Sequence, residues 1–213
     1  MRSIVIILLA LATFTPPAHA GGERAGDFDY YVLSLSWSPT WCAIEGDDRG
    51  ADQCDTRHDY GWILHGLWPQ NERGYPSYCN TSAASPSRGE TGAMVDIMAS
   101  SGLAWHQWKK HGRCSGLTSQ QYFAAARRAY NSVVRPPVLR KLDHTVKLPA
   151  AVIEQAFLQS NPSWSADMIT ITCKQGRIQE ARLCLTKDLQ PRVCGVDVVR
   201  DCTMEKALFD PVR

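Results

Sequence analysis

Apolar and polar residues alternate in the run DFDYYVLSLSWS, Asp27 to Ser38, with Tyr31, Leu33, Leu35 and Trp37 on one side and Ser34, Ser36 and Ser38 on the other. A period of two sends successive side chains to opposite faces, so a half-buried strand with a polar face is expected. A second apolar run, Gly61 to Trp68, is expected to form a strand that turns at Pro69, with His65 on the same face as Ile63 and Leu67. Pro39 to Asp59 reads as a loop rich in Asp and Gly, held by Cys42 and Cys54. Gln70 to Gly92 is a longer loop of Asn, Gly, Pro and Ser, and loops of that length are usually functional or cross-linked. Met94 to Arg113 has a helical pattern in two pieces broken near Ser101-Gly102. Thr118, with Gln121 three residues on, opens a further helix as a capping box, and Pro136-Pro137 stops it. Pro149 to Ser160 forms a shorter helix ended by Asn161-Pro162. Met168 to Cys173 and Ile178 to Leu185 alternate as two strands of a hairpin closed at Gln175-Gly176. No repeat, linker or shift of composition divides the chain, so the expectation is one α+β domain.

The first twenty residues stand outside this scheme. They carry Arg2, an apolar stretch from Ile4 to Leu11 and the small-residue ending Ala18-His19-Ala20, the pattern of a secretory signal cut before Gly21. The stretch is far short of the ~20 residues that cross a bilayer, and no later segment is apolar enough to span. The expected domains are therefore a signal peptide, 1–20, and a mature unit, 21–213, delivered to a periplasmic or extracellular space. Cleavage lowers the formal net charge from +2 to +1, because the signal carries Arg2 and no acid. That balance is too weak to indicate a polyanionic partner, and useful positive charge must be local.

All eight cysteines, Cys42, Cys54, Cys79, Cys114, Cys173, Cys184, Cys194 and Cys202, follow the signal. An even count in an exported chain points to four disulfides. No Cys-x-x-Cys pair is present, which argues against a structural zinc cluster. Eight cysteines allow 105 pairings, and spacing does not choose among them. Asn80-Thr81-Ser82 is a glycosylation sequon only if the secretory route is eukaryotic.

The candidate chemistry lies in the histidines. His106 and His111 are five residues apart in WHQWKKHGRC, Trp105 to Cys114. On a helix that separation is about 140°, and no acid lies between them, so a zinc helix with ligands at i and i+4 does not fit. Gln107, Lys110 and His111 fall at i, i+3 and i+4 instead, placing an amide, an ammonium and an imidazole on one face, with His106 at its edge. Trp105 and Trp108 point away from this face and are expected in the core. An ammonium beside an imidazole lowers its basicity unless an anion sits between them, and phosphate is the natural candidate. The plainer alternative is a solvated polar face. His65, in LHGLWP among bulky apolar residues, reads by itself as a core histidine with its hydrogen bonds satisfied. Paired with His111, it would supply the base and acid for cleaving RNA, since histidine holds either protonation state near neutrality. Lys110 would then stabilise charge on the phosphate oxygens.

Two segments carry a resemblance. LHGLWP, Leu64 to Pro69, and WHQWKKHGRCSG, Trp105 to Gly116, closely resemble the two active-site segments of the ribonuclease T-two family of secreted, metal-independent endoribonucleases. Phe28 to Cys42 resembles the family's opening strand, and NERGYP, Asn71 to Pro76, is similar to its bacterial members. The resemblance implies a central antiparallel sheet flanked by helices. It also implies a catalytic pair of His65 as acid and His111 as base in cyclic-phosphate formation, with these roles reversed for hydrolysis of the cyclic product. His106 would help bind phosphate, Lys110 would stabilise the transition state, and Trp68, with Tyr75 on the same loop, would stack bases. It implies disulfides Cys42–Cys54, Cys79–Cys114, Cys173–Cys202 and Cys184–Cys194. Neither metal nor cofactor is implied, and the expected partner is single-stranded RNA, cut with low base specificity by a monomer that ignores DNA and, once its signal is cleaved, membranes.

Two positions depart from the pattern. The family usually carries glutamate where this chain has Gln107, and an amide keeps the hydrogen bonds but not the charge. A slower enzyme, or one with a shifted pH optimum, is expected; the alternative is an RNA-binding member that has lost activity. Gln70 stands where some fungal members have an aspartate that reads adenine, so base preference is open. A metal-dependent phosphoesterase fits poorly, because the histidines lack aspartates at ligand spacing.

Overall fold

The computed structural model describes residues 23–213; the expected signal peptide, 1–20, lies outside the described residues. Six strands form one sheet: β1 Tyr30–Trp37, β2 Trp62–Gln70, β3 Val146–Leu148, β4 Ile169–Lys174, β5 Arg177–Leu185 and β6 Ala207–Phe209. The order is β2-β1-β5-β6-β3, with β4 on β5, and all pairings are antiparallel except a single parallel contact between Arg177 and Leu208. Among the described residues, six helices accompany the sheet: α1 Ser38–Trp41, α2 Arg88–Gly92, α3 Val95–Met98, α4 Ser101–Lys110, α5 Ser119–Ser132 and α6 Ala150–Ser160. Short 3-10 turns fill several of the connections. The α+β architecture expected from the sequence is what forms.

Local chemistry accounts for the element ends. Thr118 and Gln121 make the expected capping box, each side chain taking the other's backbone N–H, and Ser87 with Glu90 makes a second box at α2 inside the stretch expected to be loop. The break before α4 falls at Ala99, whose φ is +60°, two residues ahead of the expected place, and the Ser100 hydroxyl caps the new helix at the Leu103 amide. The β4–β5 hairpin closes at Gln175 and Gly176 with φ of +48° and +79°, the left-handed pair that matches the twist of the strands it joins.

Tyr31, Leu33, Leu35 and Trp37 of β1 enter the main core with Leu64 and Leu67 of β2, Trp108 of α4, and Tyr122 and Phe123 of α5. The opposite face of β1 is not the open polar face expected. Ser34 is fully buried and Ser38 nearly so, because β1 lies between β2 and β5. A second cluster of Tyr30, Val32, Cys184, Cys194 and Val198 covers that side. β2 also runs through Pro69 to Gln70 instead of turning. It is an edge strand, so the missing proline N–H costs no ladder bond.

All four implied disulfides are present: Cys42–Cys54, Cys79–Cys114, Cys173–Cys202 and Cys184–Cys194. Cys79–Cys114 joins the long loop to the turn after α4. Among the described residues, no helix is long and apolar enough to cross a membrane.

Candidate active site

The register of β2 against β1 creates the first feature of the site. Ser34 pairs with Gly66 and Leu35 with Leu64, so His65 is the extra residue of a β-bulge. The bulge lets Leu64 and Leu67 both face the core, while His65 emerges on the other side with Trp68. Leu67 therefore does not share His65's face, contrary to the expectation from strict alternation. The bulge is what frees the imidazole.

Opposite it, α4 ends at Lys110 and His111 follows as the C-cap residue, its N–H still bonded to the Gln107 carbonyl. His65, His106, Gln107, Lys110, His111, Trp68, Gln70 and Tyr75, every site residue expected from the sequence, line one cleft of about 650 Å³. Of the two tryptophans expected in the core, Trp108 is buried, whereas Trp105 is 44% exposed on the outer edge of α4. Ala104 and Trp108, four apart, fill the inward stripe and leave Trp105 outside it.

Trp68 is the centre of the arrangement. Its ring centroid lies 5.2 Å from His111, nearly parallel to it, and 5.3 Å from His65, which meets it edge-on. Its Nε1 donates to Gln107 Oε1 at 2.7 Å. This bond passes over Gly66, where a Cβ would sit 2.2 Å from Gln107 Oε1 and 2.4 Å from Trp68 Nε1. Only glycine leaves that space.

The two imidazoles have opposite surroundings. His111 is buried, and its Nδ1 has no hydrogen-bond partner. Burial first, then the positive charge of Lys110, His65 and His106, pushes its pKa from the ordinary 6.5 down to about 3. His106 is shifted down as well, by partial desolvation and then by Lys110. His65 has a carboxylate partner, with Nδ1 2.5 Å from Glu180 Oε1. Glu180, on β5, is only 2% exposed, and its Oε2 accepts from Arg182 Nε at 2.9 Å and Nη2 at 2.7 Å. Burial by itself raises a carboxyl pKa, but the hydrogen bond and charge of His65 and the Arg182 guanidinium outweigh it and hold Glu180 at about 2. A carboxylate only accepts, so His65 carries its hydrogen on Nδ1 and leaves Nε2 to the cleft.

Lys110 has no carboxylate within 4.0 Å among the described residues, and its Nζ stands 6.0 Å from the Tyr75 ring centre. Tyr75 is 52% exposed, whereas Gln70, at the end of β2, is buried and donates to the Gly74 carbonyl at 2.8 Å. The Asp197 carboxylate accepts from the Gly74 amide and ties the Cys194–Arg200 segment to this rim. Glu180, Arg182 and Asp197 escaped the sequence reading. The first two sit in a run legible only as an alternating strand, and nothing local marks them as facing His65. Among the described residues, the one cluster with metal-ligand proximity is Cys42, Asp47 and Cys54, whose sulfurs are joined in a disulfide.

Residues 28–194 match the model of the Ribonuclease T2 family. The chain belongs to that family. It is 44% identical over 128 residues to a ribonuclease of Aeromonas hydrophila, covering 59% of this chain and 56% of that one. It is 32% identical over 130 residues to a probable ribonuclease of Haemophilus influenzae, covering 55% and 48%. The chain thus spans about half the length of these relatives. The crystal structure of RNase NT in complex with 5'-AMP superposes with a TM-score of 0.63 at 22% identity, over 87% of this chain and 99% of the other, a likeness of fold. Asp197 and Arg200, which line the cleft, lie beyond the matched segment.

Proposed function

We propose that the chain is an endoribonuclease that cleaves single-stranded RNA through a 2',3'-cyclic phosphate, with His65 and His111 as its acid/base pair. The observation carrying this reading is that two imidazoles in opposite environments share Trp68 as neighbour in one cleft. A carboxylate behind His65 supports an imidazolium that gives up a proton, and the buried, partnerless His111 suits the base.

In the first step His111, uncharged because it is buried, takes the proton of the ribose 2'-hydroxyl through its cleft-facing nitrogen. The 2'-oxygen attacks the adjacent phosphorus, and the P–O5' bond breaks. His65, charged and held by Glu180, delivers the proton from Nε2 to the departing 5'-oxygen. Lys110 and His106 face the non-bridging oxygens, where negative charge builds. In the second step the roles reverse: His65 takes a proton from water, which opens the cyclic ester, and His111 returns its proton to the 2'-oxygen. Each proton transfer is worth roughly 10²–10⁴-fold. One face of Trp68 is covered by His111, so Tyr75 offers the open aromatic face for a base, and Trp68 stacks at its remaining surface. Gln70 lines the same cleft, its side chain held by the Gly74 carbonyl.

Export fits this chemistry: residues 1–20 serve as a signal, 21–213 form the mature monomer, and the site is the periplasm or outside the cell. The nucleophile is the substrate's own 2'-hydroxyl, so cleavage needs no metal. A defined RNA oligonucleotide should yield cyclic-phosphate ends, unaffected by EDTA, with the matching DNA strand intact. His65→Ala should remove the activity. Gln107→Glu should raise it about three- to tenfold, by placing a carboxylate near His111 and lifting its basicity by up to about one unit. Cleavage of the DNA, or its loss with EDTA, would sink the mechanism. The second reading, an RNA-binding member without catalysis, draws on the uncharged Gln107 already engaged by Trp68. It prevails if neither the native chain nor Gln107→Glu cleaves RNA.

A further inference from the structure

We propose that Glu180 is a positioning residue that commits His65 to one tautomer, and that Arg182 keeps Glu180 facing the right way. The inference rests on the ribonuclease reading above and assigns work to two β5 residues outside both active-site segments.

The geometry has three parts. Glu180 is buried beneath the bulge, with Oε1 on His65 Nδ1 and Oε2 on two nitrogens of Arg182, so each carboxylate oxygen has its own donor. Among the described residues it is the one carboxylate bonded to an imidazole of the cleft. Arg182 also lies 5.4 Å from the Trp68 ring centre, so the same guanidinium braces the indole that both imidazoles touch. The arrangement is directional. A carboxylate presents an acceptor to both neighbours, but an amide presents one acceptor and one donor. With Arg182 in place, the oxygen of a glutamine at 180 would turn toward the guanidinium and its NH2 toward His65 Nδ1. That nitrogen would then have to accept, and the hydrogen would move to Nε2, where His65 can no longer collect a proton from the cleft. The same amide cannot balance the charge of the imidazolium that must protonate the leaving oxygen.

The test compares two substrates of the mature protein. Uridylyl-3',5'-adenosine releases a ribose alkoxide that needs a proton. Uridine 3'-(4-nitrophenyl phosphate) releases 4-nitrophenolate, which leaves as an anion. Glu180→Gln should lower kcat on the dinucleotide by about 30-fold, a share of the roughly 10²–10⁴ that a proton transfer contributes, with KM unchanged. It should lower kcat on the aryl ester by less than about threefold. The double variant Glu180→Gln with Arg182→Met frees the amide oxygen to turn back toward His65, and should regain about tenfold on the dinucleotide relative to Glu180→Gln alone. Equal losses on both substrates, or a double variant no faster than the single one, would overturn the proposal. Native protein that cleaves neither substrate would overturn the ribonuclease reading instead. Nitrogen-15 NMR of histidine-labelled native protein tests the same point without a variant. The neutral His65 ring should carry its hydrogen on Nδ1; hydrogen on Nε2 overturns the assignment.

Discussion

The two halves of the cleft use the same side chain in opposite ways. On the strand side, His65 stands in a bulge with a carboxylate behind it and a guanidinium behind that. On the helix side, His111 stands at a helix end with no partner for Nδ1, an indole over its face and an ammonium next to it in sequence. One environment welcomes a charged ring and the other repels it. The same imidazole thus meets a carboxylate on one side of the cleft and desolvation on the other, before any substrate arrives.

The largest effect that can break this comparison is on the helix side. His111→Ala should depress cleavage of RNA and of the aryl ester alike, by about 10³-fold, because both reactions need the 2'-proton removed. An aryl ester spared by His111→Ala but not by His65→Ala would mean that acid and base are assigned the wrong way round. Next comes the joint between the halves. Gly66→Ala drives a methyl into the Trp68–Gln107 bond. Steady-state rates should fall by up to about 10²-fold, as expected for a displacement near 1 Å, and denaturant unfolding should show a loss of about 1–3 kcal/mol. Rates and stability like those of the native chain would show that the bond does not position Trp68.

The smallest effect falls on stability. The folded-state pKa of His111, about 3, lies below its ordinary 6.5, so between those values the unfolded chain binds a proton that the native state refuses. Stability from this residue is complete above pH 6.5 and is lost as pH falls toward 3. Glu180, at about 2 against 4.5, adds a loss of the same sign at lower pH. Urea unfolding should therefore show about 1–2 kcal/mol less stability at pH 5 than at pH 7, with most of that difference absent in His111→Leu. An identical pH dependence in the variant would mean His111 is not held neutral by the fold.

Much of this was legible in the chain. Alternation located β1, β4 and β5, capping chemistry located the start of α5, and the segments around His65 and His111 marked which residues meet. These signals are local: a strand's period, a helix's cap and the facing of residues three and four apart depend on neighbours in sequence. Trp105 shows where such reasoning stops. An apolar residue on a helix has no address until the width of the inward stripe is known, and here Ala104 and Trp108 suffice.

The bulge shows the same limit more sharply. Strict alternation puts His65 with Leu67, and only the pairing of β2 with β1 reveals the extra residue that parts them. Glu180 and Arg182 are the far end of that limit. Their carboxylate and guanidinium are 115 and 117 residues from His65 in the chain, and register across three strands, β2, β1 and β5, brings them beneath it. The sequence by itself determined which chemical groups are available and which elements hold them, because those depend on residue type and short-range periodicity. The tertiary structure alone decided which imidazole has a carboxylate and which has none. Desolvation and hydrogen bonding are set by neighbours in space, and a linear pattern carries no record of them until the strands are in register.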